Sequence, residues 1–229
     1  MHVVLSIGGS SINPEGKPDL GFLRSMAQMI KKSRNSFGIL TGGGSIARVY
    51  ANAVRELGAG EYEADSIAIT STRQNGQLVV AALRGAGVNV HGTVLKDFEK
   101  AKEQACENQA VVMGGTIPGI TTDTDSVLLA EAMGAKRLVN ISNVDAVYDS
   151  DPRKNPGAKK FTKMTYDELI LLASESDKRL AGTHFVFDML ACKLIARSKI
   201  ETHFVSCKNL SDVEKAIDGK AHGGTVVRG

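Results

Sequence analysis

Three apolar runs in this 229-residue chain end in glycines, and the groups around those ends are the ones that could do chemistry. His2 to Ile7 runs into Gly8-Gly9-Ser10-Ser11, Gly38 to Thr41 into Gly42-Gly43-Gly44, and Ala110 to Met113 into Gly114-Gly115-Thr116. Runs of β-branched and aliphatic residues read as buried strands. Glycines at their ends let backbone amides approach a bulky anion, with hydroxyls as further donors. Ligands of open α/β sheets sit beyond the carboxyl ends of the strands, so three such junctions point to a phosphate-rich ligand. The third junction continues through Ile117-Pro-Gly-Ile-Thr-Thr-Asp123. It offers backbone donors and the hydroxyls of Thr116, Thr121 and Thr122 ahead of a helix N-terminus, a seat for a phosphate or a polar ring.

Other motifs fall short. Gly42 to Ala47 matches a dinucleotide-binding fingerprint formally, but the acids that follow, Glu63 and Asp65, open a helical pattern instead of ending a strand. Gly43-x-Ser45-x-Ala47 lacks the last glycine of a nucleophile elbow. A Walker A sequence is absent, so nucleotide phosphates would rest on the sheet-edge turns. The five histidines show no paired spacing, and no metal-ligating set is read.

The elements that must position these groups alternate as β–loop–α. Asp19 opens a helix with Phe22, Leu23, Met26, Met29 and Ile30 at helical spacing. Ile46, Val49, Tyr50, Ala53, Val54 and Leu57 form the apolar stripe of a helix behind the triple glycine. Ala64 to Leu83 reads as a long helix with a polar face of Arg73, Gln74 and Asn75, and Asn89 to His91 as a short strand. Lys96 to Gln104 reads as an exposed helix, Lys136 to Ile141 as a strand, and Ser142 to Lys160 as a long polar loop. Thr165-x-x-Glu168 and Ser211-x-x-Glu214 fit capping boxes. Phe185 to Arg197 reads as a helix, with strands at Thr202 to Val205 and Gly224 to Val227. The pattern predicts a mostly parallel sheet covered on both faces.

The net charge of +3, with dispersed Lys and Arg, argues against nucleic-acid or membrane-surface partners. Cys106, Cys192 and Cys207 show no C-x-x-C spacing, and reduced thiols in a soluble, cytoplasmic protein are the expectation. No signal peptide is visible.

Together these segments resemble the amino acid kinase superfamily, most closely its archaeal-type uridylate (UMP) kinases. The resemblance is carried by Ile7-Gly-Gly-Ser10, Gly42-Gly-Gly-x-x-Ala-Arg48, Val112-Met-Gly-Gly-Thr-x-Pro-Gly-x-Thr-Thr-Asp123, Asn143-Val-Asp-Ala-Val-Tyr148-x-x-Asp151-Pro152 and Asp188-x-x-Ala191-x-Lys193, in the family's order. It implies a single domain over residues 1–229, a three-layer α/β/α sandwich with an open, mainly parallel sheet. Residues 1–135 would form the acceptor and phosphate half, and residues 136–229 the ATP half. It further implies transfer of the γ-phosphoryl of ATP to UMP in pyrimidine nucleotide synthesis, dependence on Mg²⁺, and a homohexamer built from dimers. Gly8, Gly9 and Ser10 would donate to the transferred group, with Arg48 and Lys193 as cations. UMP would meet Gly43, Asp65, Gly115, Thr116, Ile117, Pro118, Gly119, Ile120 and Thr121. ATP would meet Gly9, Ser10, Gly44, Arg48, Ser142, Asn143, Tyr148 and Asp151. The chain departs from the family at Ser6, where many relatives have lysine, at Ser142 for threonine, at Ala146 for glycine, and at Ile117 and Ile120 for polar residues. The alternatives are a phosphotransferase of the same fold acting on a carboxylate, carbamate or isoprenoid phosphate, and a nucleotide-binding protein without turnover.

Overall fold

The computed structural model describes residues 1–177 and 187–229. The chain opens with β1 (His2–Ile7), one turn of helix α1 (Gly9–Ile12) and a 3-10 turn at Pro14–Gly16. Then come α2 (Leu20–Lys32), β2 (Ser36–Thr41), α3 (Gly44–Glu56) and α4 (Glu61–Gly85). Next are α5 (Phe98–Gln104), β3 (Ala110–Met113), α6 (Thr122–Ala132) and β4 (Arg137–Ser142). Small strands β5 (Val147–Tyr148), β6 (Lys160–Phe161) and β7 (Lys163–Met164) lead to α7 (Tyr166–Asp177). The chain finishes with α8 (Met189–Ser198), β8 (Glu201–Ser206), α9 (Leu210–Ile217) and β9 (Thr225–Val227).

Seven strands form one sheet in the order β3-β2-β1-β4-β8-β9-β7. The first five in that order run parallel, and β9 is antiparallel to β8. Register is what makes the site. Ile7 pairs with Thr41 and with Ile141, and Leu40 with Met113, so the glycine junctions leave the sheet at one edge. Side chains alternate across each strand. Val3, Leu5 and Ile7 pack with α2, α4 and α9, while Val4, Leu40 and Leu138 pack with α5, α6, α7 and α8. The expected three-layer α/β/α sandwich is therefore observed, and strands buried on both faces explain the unbroken apolar runs.

Several expectations shift. Helix α3 buries Ala47 and Ala51, not the apolar stripe read from its sequence: Val49, Tyr50 and Leu57 are 65%, 55% and 86% exposed. Asn75, expected on a polar outer face, is buried. The expected strand at Asn89 to His91 reduces to one bridge, Val90 to Ala110. Thr165 and Glu168 do form a reciprocal capping box, at 2.7 and 3.2 Å. The second box does not form, because Asn209 caps α9 two residues earlier by accepting from the Asp212 amide. Phe185 lies outside the described residues, and α8 begins at Met189 with Asp188 as its cap. Strand β7 is an addition to the expected sheet. Among the described residues no helix is long and apolar enough to cross a membrane.

On β8, next to β9, buried His203 shares one ring nitrogen with His222 at 2.7 Å and the other with Glu201 at 2.9 Å. His222 in turn accepts from the Gly224 amide. Burial pushes His203 below the usual histidine range, against the upward pull of Glu201, with His222 and Arg137 adding to the fall. Burial also lowers His222, which faces Asp212, Lys215, Glu201 and Lys160. Both rings thus bind protons more readily unfolded than folded. Their contribution to stability is present above the unfolded value, near 6.5, and fades as pH falls through it toward the folded values. His222→Asn should flatten the loss of urea stability between pH 7.5 and 5.5; an unchanged slope would show that the pair is not its source.

Candidate active site

The first two glycine junctions interlock backbone against backbone. A Cβ on Gly9 would lie 2.2 Å from Gly44 N and 2.5 Å from Gly43 C. Gly44 has φ +69°, a conformation that side chains disfavour. The Gly42 amide donates to Ile7 O and the Gly8 amide to Ile141 O, both at 2.9 Å, so β1 holds the turn after β2 and β4 holds the turn after β1. Beneath them the Asn13 amide donates to Asn75 Oδ1, and Asn75 Nδ2 to Gly42 O, each at 2.7 Å. Thr41 Oγ1, fully buried, ties β2 to Thr72 O of α4 and to Met113 O of β3.

Around these turns opens a cleft of about 460 Å³. Gly8 to Ser11, Gly42 to Gly44 and Arg48 line one side, and Ser142, Asn143, Val144 and Ala146 another. Thr122, Asp123, Arg153 and the edge-to-face rings of Phe187 and Phe204 complete it. The size suits a nucleotide, and the amides at the N-termini of α1 and α3 suit its phosphates.

The loop from Gly114 to Thr121 is less open than its composition suggests. The Gly115 amide donates to Thr72 Oγ1 at 2.7 Å, the Thr116 amide to Asp125 Oδ2 at 3.1 Å, and the Gly119 amide to Asp65 Oδ2 at 2.8 Å. The hydroxyls are also engaged, Thr116 with Asp125 at 2.6 Å and Thr121 with Asp188 at 2.5 Å. Of the expected backbone donors, those of Ile117, Ile120 and Thr121 have no partner among the described residues. Thr121 also caps α6.

Two carboxyls stand out. Burial raises Asp123 to about 7, and the charge of Asp188 adds to the rise. Asp123 is partly exposed on the wall of the cleft, whereas Asp125 is buried. Burial likewise raises Asp125 to about 6, against the hydrogen bonds from Thr116 and the nearby charge of Arg73.

The structure thus gathers Gly8, Gly9, Ser10, Gly43, Gly44, Arg48, Ser142 and Asn143 around one cleft. Asp65 faces Gly119 of the adjoining loop, which leads into Thr122 and Asp123 at the start of α6, both lining that cleft. Tyr148 and Asp151 do not line it: Tyr148 donates to Asp145, and Asp151 grips Arg153, which does. The Ser142 hydroxyl is engaged with the backbone of Val144. Lys193 is exposed on α8 and is not among the lining residues. Sequence reasoning overlooked Asp123 and Arg153 as site residues, although both sit inside or beside the motifs it singled out. It also overlooked Asn13, Asn75, Arg73 and Asp125, which tie together segments that the sequence pattern reads separately.

Known proteins of this kind exist. The model of the amino acid kinase family matches residues 1–206. The uridylate kinase of Thermococcus kodakarensis is 42% identical over 229 residues, covering 99% of each chain. That of Archaeoglobus fulgidus is 39% identical over 223 residues, covering 97% of this chain and 98% of its own. The crystal structure of uridylate kinase from A. fulgidus superposes with a TM-score of 0.86 at 37% identity, covering 99% of this chain and 100% of the other. A UMP kinase structure from Bacillus anthracis shares the fold, with a TM-score of 0.80 at 21% identity.

Proposed function

The chain belongs to the amino acid kinase family, and from that premise we infer that it is a nucleoside monophosphate kinase that moves the γ-phosphoryl of ATP to UMP, giving ADP and UDP. One observation carries the reading beyond homology. The glycine cleft runs through Thr122 and Asp123 into a loop held against Asp65, so a donor and an acceptor site adjoin.

Such a reaction needs no side-chain nucleophile. A phosphate oxygen of UMP attacks the γ-phosphorus, the bond to the bridging oxygen breaks, and ADP leaves with that electron pair. The protein must hold the two phosphates in line and offset the charge between them. The amides of Gly8 to Ser10 and the Arg48 guanidinium, which line the cleft, would do so. Mg²⁺ fits the cleft too: Asp123 is the carboxylate among its described lining residues and forms no ion pair among them, an oxygen donor that a hard divalent ion suits. When bound, that ion neutralises phosphate charge.

We read residues 1–135 as the acceptor half and 136–229 as the ATP half, with the reaction placed in cytoplasmic pyrimidine nucleotide synthesis. Assembly as a homohexamer built from dimers is supported by the uncovered Val49, Tyr50 and Leu57 of α3, with exposed Tyr62 following them. A face of that kind suits burial against another copy.

The test is ADP release from Mg-ATP against UMP, CMP, dUMP, N-acetylglutamate, carbamate and isopentenyl phosphate. Turnover should favour UMP. Asp65→Ala should raise KM for UMP about tenfold while leaving KM for ATP nearly unchanged. Turnover on a non-nucleotide acceptor alone would retain the fold and overturn the substrate.

A further inference from the structure

The acceptor loop is fixed by a residue outside its own segment. Helix α4 passes so close beneath it that a Cβ on Gly114 would come within 2.7 Å of Arg73 Cγ. From α4, Arg73 donates Nε and Nη2 to Gly115 O at 3.2 and 2.9 Å, and Nη2 to Thr116 O at 3.1 Å. On the other side, Asp125 of α6 accepts from Thr116 N. The peptide between Gly115 and Thr116 is therefore gripped at both ends, its oxygen by Arg73 and its N–H by Asp125.

The following peptide, between Thr116 and Ile117, is held by its oxygen alone. In a trans peptide the C=O and N–H point opposite ways, and the described chain has no cis peptide. With Thr116 O drawn toward Arg73, the Ile117 N–H is turned away from it. That N–H has no partner among the described residues, and the Ile117 side chain beside it is 59% exposed. A guanidinium suits this task because its planar fork spans two carbonyls at once, where an ammonium would meet one with less angular control. Arg73 also forms no ion pair among the described residues, so carbonyls are its partners and its charge remains close to the loop.

Resting on the reading of this protein as a UMP kinase, we propose that Arg73 is a positioning residue for the acceptor. By holding the Gly115 and Thr116 carbonyls against α4, it aims the Ile117 amide at the bound nucleoside monophosphate, whose oxygens accept that hydrogen bond. Arg73 does not itself touch the acceptor, and a residue of this kind acts on acceptor binding and alignment, not on ATP.

The experiment is steady-state kinetics of the full-length protein and its Arg73→Met, Arg73→Gln and Arg73→Lys variants, with the thermal shift produced by UMP measured alongside. Arg73→Met should raise KM for UMP about tenfold and shrink the UMP-induced shift, with KM for ATP within about twofold. Arg73→Lys should recover part of the loss, since it can still hold one carbonyl. If Arg73→Met does not fold, the graded effects of Gln and Lys decide the matter. A folded variant with unchanged KM for UMP would overturn the proposal. So would equal weakening of both substrates in step with a lower melting temperature, the mark of a merely structural role. If the unaltered protein fails to phosphorylate UMP, the kinase reading falls instead, and this proposal with it.

Discussion

One methyl group added at Gly9 should abolish turnover. The new Cβ of Gly9→Ala would sit 2.2 Å from Gly44 N and 2.6 Å from Gly44 Cα, distances that no pair of such atoms tolerates. Neither neighbour is a flexible side chain that can swing aside, because both belong to backbone. The two junctions must separate by more than an ångström to relieve the clash. Gly44 cannot absorb that easily, since it is itself in the left-handed region with Gly9 C 2.7 Å from its own hypothetical Cβ. A misplacement of about 1 Å at reacting groups costs on the order of a hundredfold in rate, and here the amides of both junctions move together. We expect kcat to fall at least about a thousandfold, with overpacking costing about 1–3 kcal/mol of stability. Gly58→Ala is the control, for φ is +86° there but nothing lies within 4 Å. It should lose about 1 kcal/mol and keep its activity. ADP release beside thermal melting reads both effects. Retention of near-normal kcat in Gly9→Ala would show that the close contact of the two turns is not what shapes the phosphate site.

The contrast between those two glycines shows what a sequence can and cannot reveal. The strands were legible because each is apolar on both faces, and their ends because glycines and hydroxyls break the pattern abruptly. From that, the shared edge and the layered sandwich follow. What stayed hidden were commitments made across the fold. The amides of Gly115, Thr116 and Gly119 read as free donors, yet Thr72, Asp125 and Asp65 occupy them from two different helices. Asn75 read as a surface residue because a polar side chain in an amphipathic helix usually is one. Its three residues of offset from Thr72 turn it under the triple glycine, where its buried amide donates to Gly42 O and accepts from the Asn13 side chain. The stripe of α3 failed for another reason. Helical spacing reveals that a face is apolar but not whether the same chain covers it.

Asp123 illustrates how a site can hold a group that the fold alone does not favour. Its carboxyl lines the glycine cleft, where partial burial and the like charge of nearby Asp188 raise it to about 7. Asp188 is itself met by three donors, the hydroxyls of Thr121 and Thr124 and the amide of Ala191, whereas no side chain donates to Asp123 among the described residues. A partly desolvated carboxylate beside a like charge disfavours the folded chain when ionised, until a cation arrives. Asp123→Asn removes that charge at nearly constant volume. The ligand-free variant should therefore melt higher, by about 3–6 °C for a gain on the order of 1–2 kcal/mol in a chain of this length. Its kcat should fall about a hundredfold or more, because a group aimed at the reacting phosphates is lost. The stabilisation gained on adding Mg-ATP should shrink as well, since the cation no longer meets a carboxylate there. Stability and activity would then move in opposite directions from one substitution. That pairing separates a charge kept for catalysis from one kept for structure: a structural carboxylate would lose stability on becoming an amide and leave the rate nearly untouched.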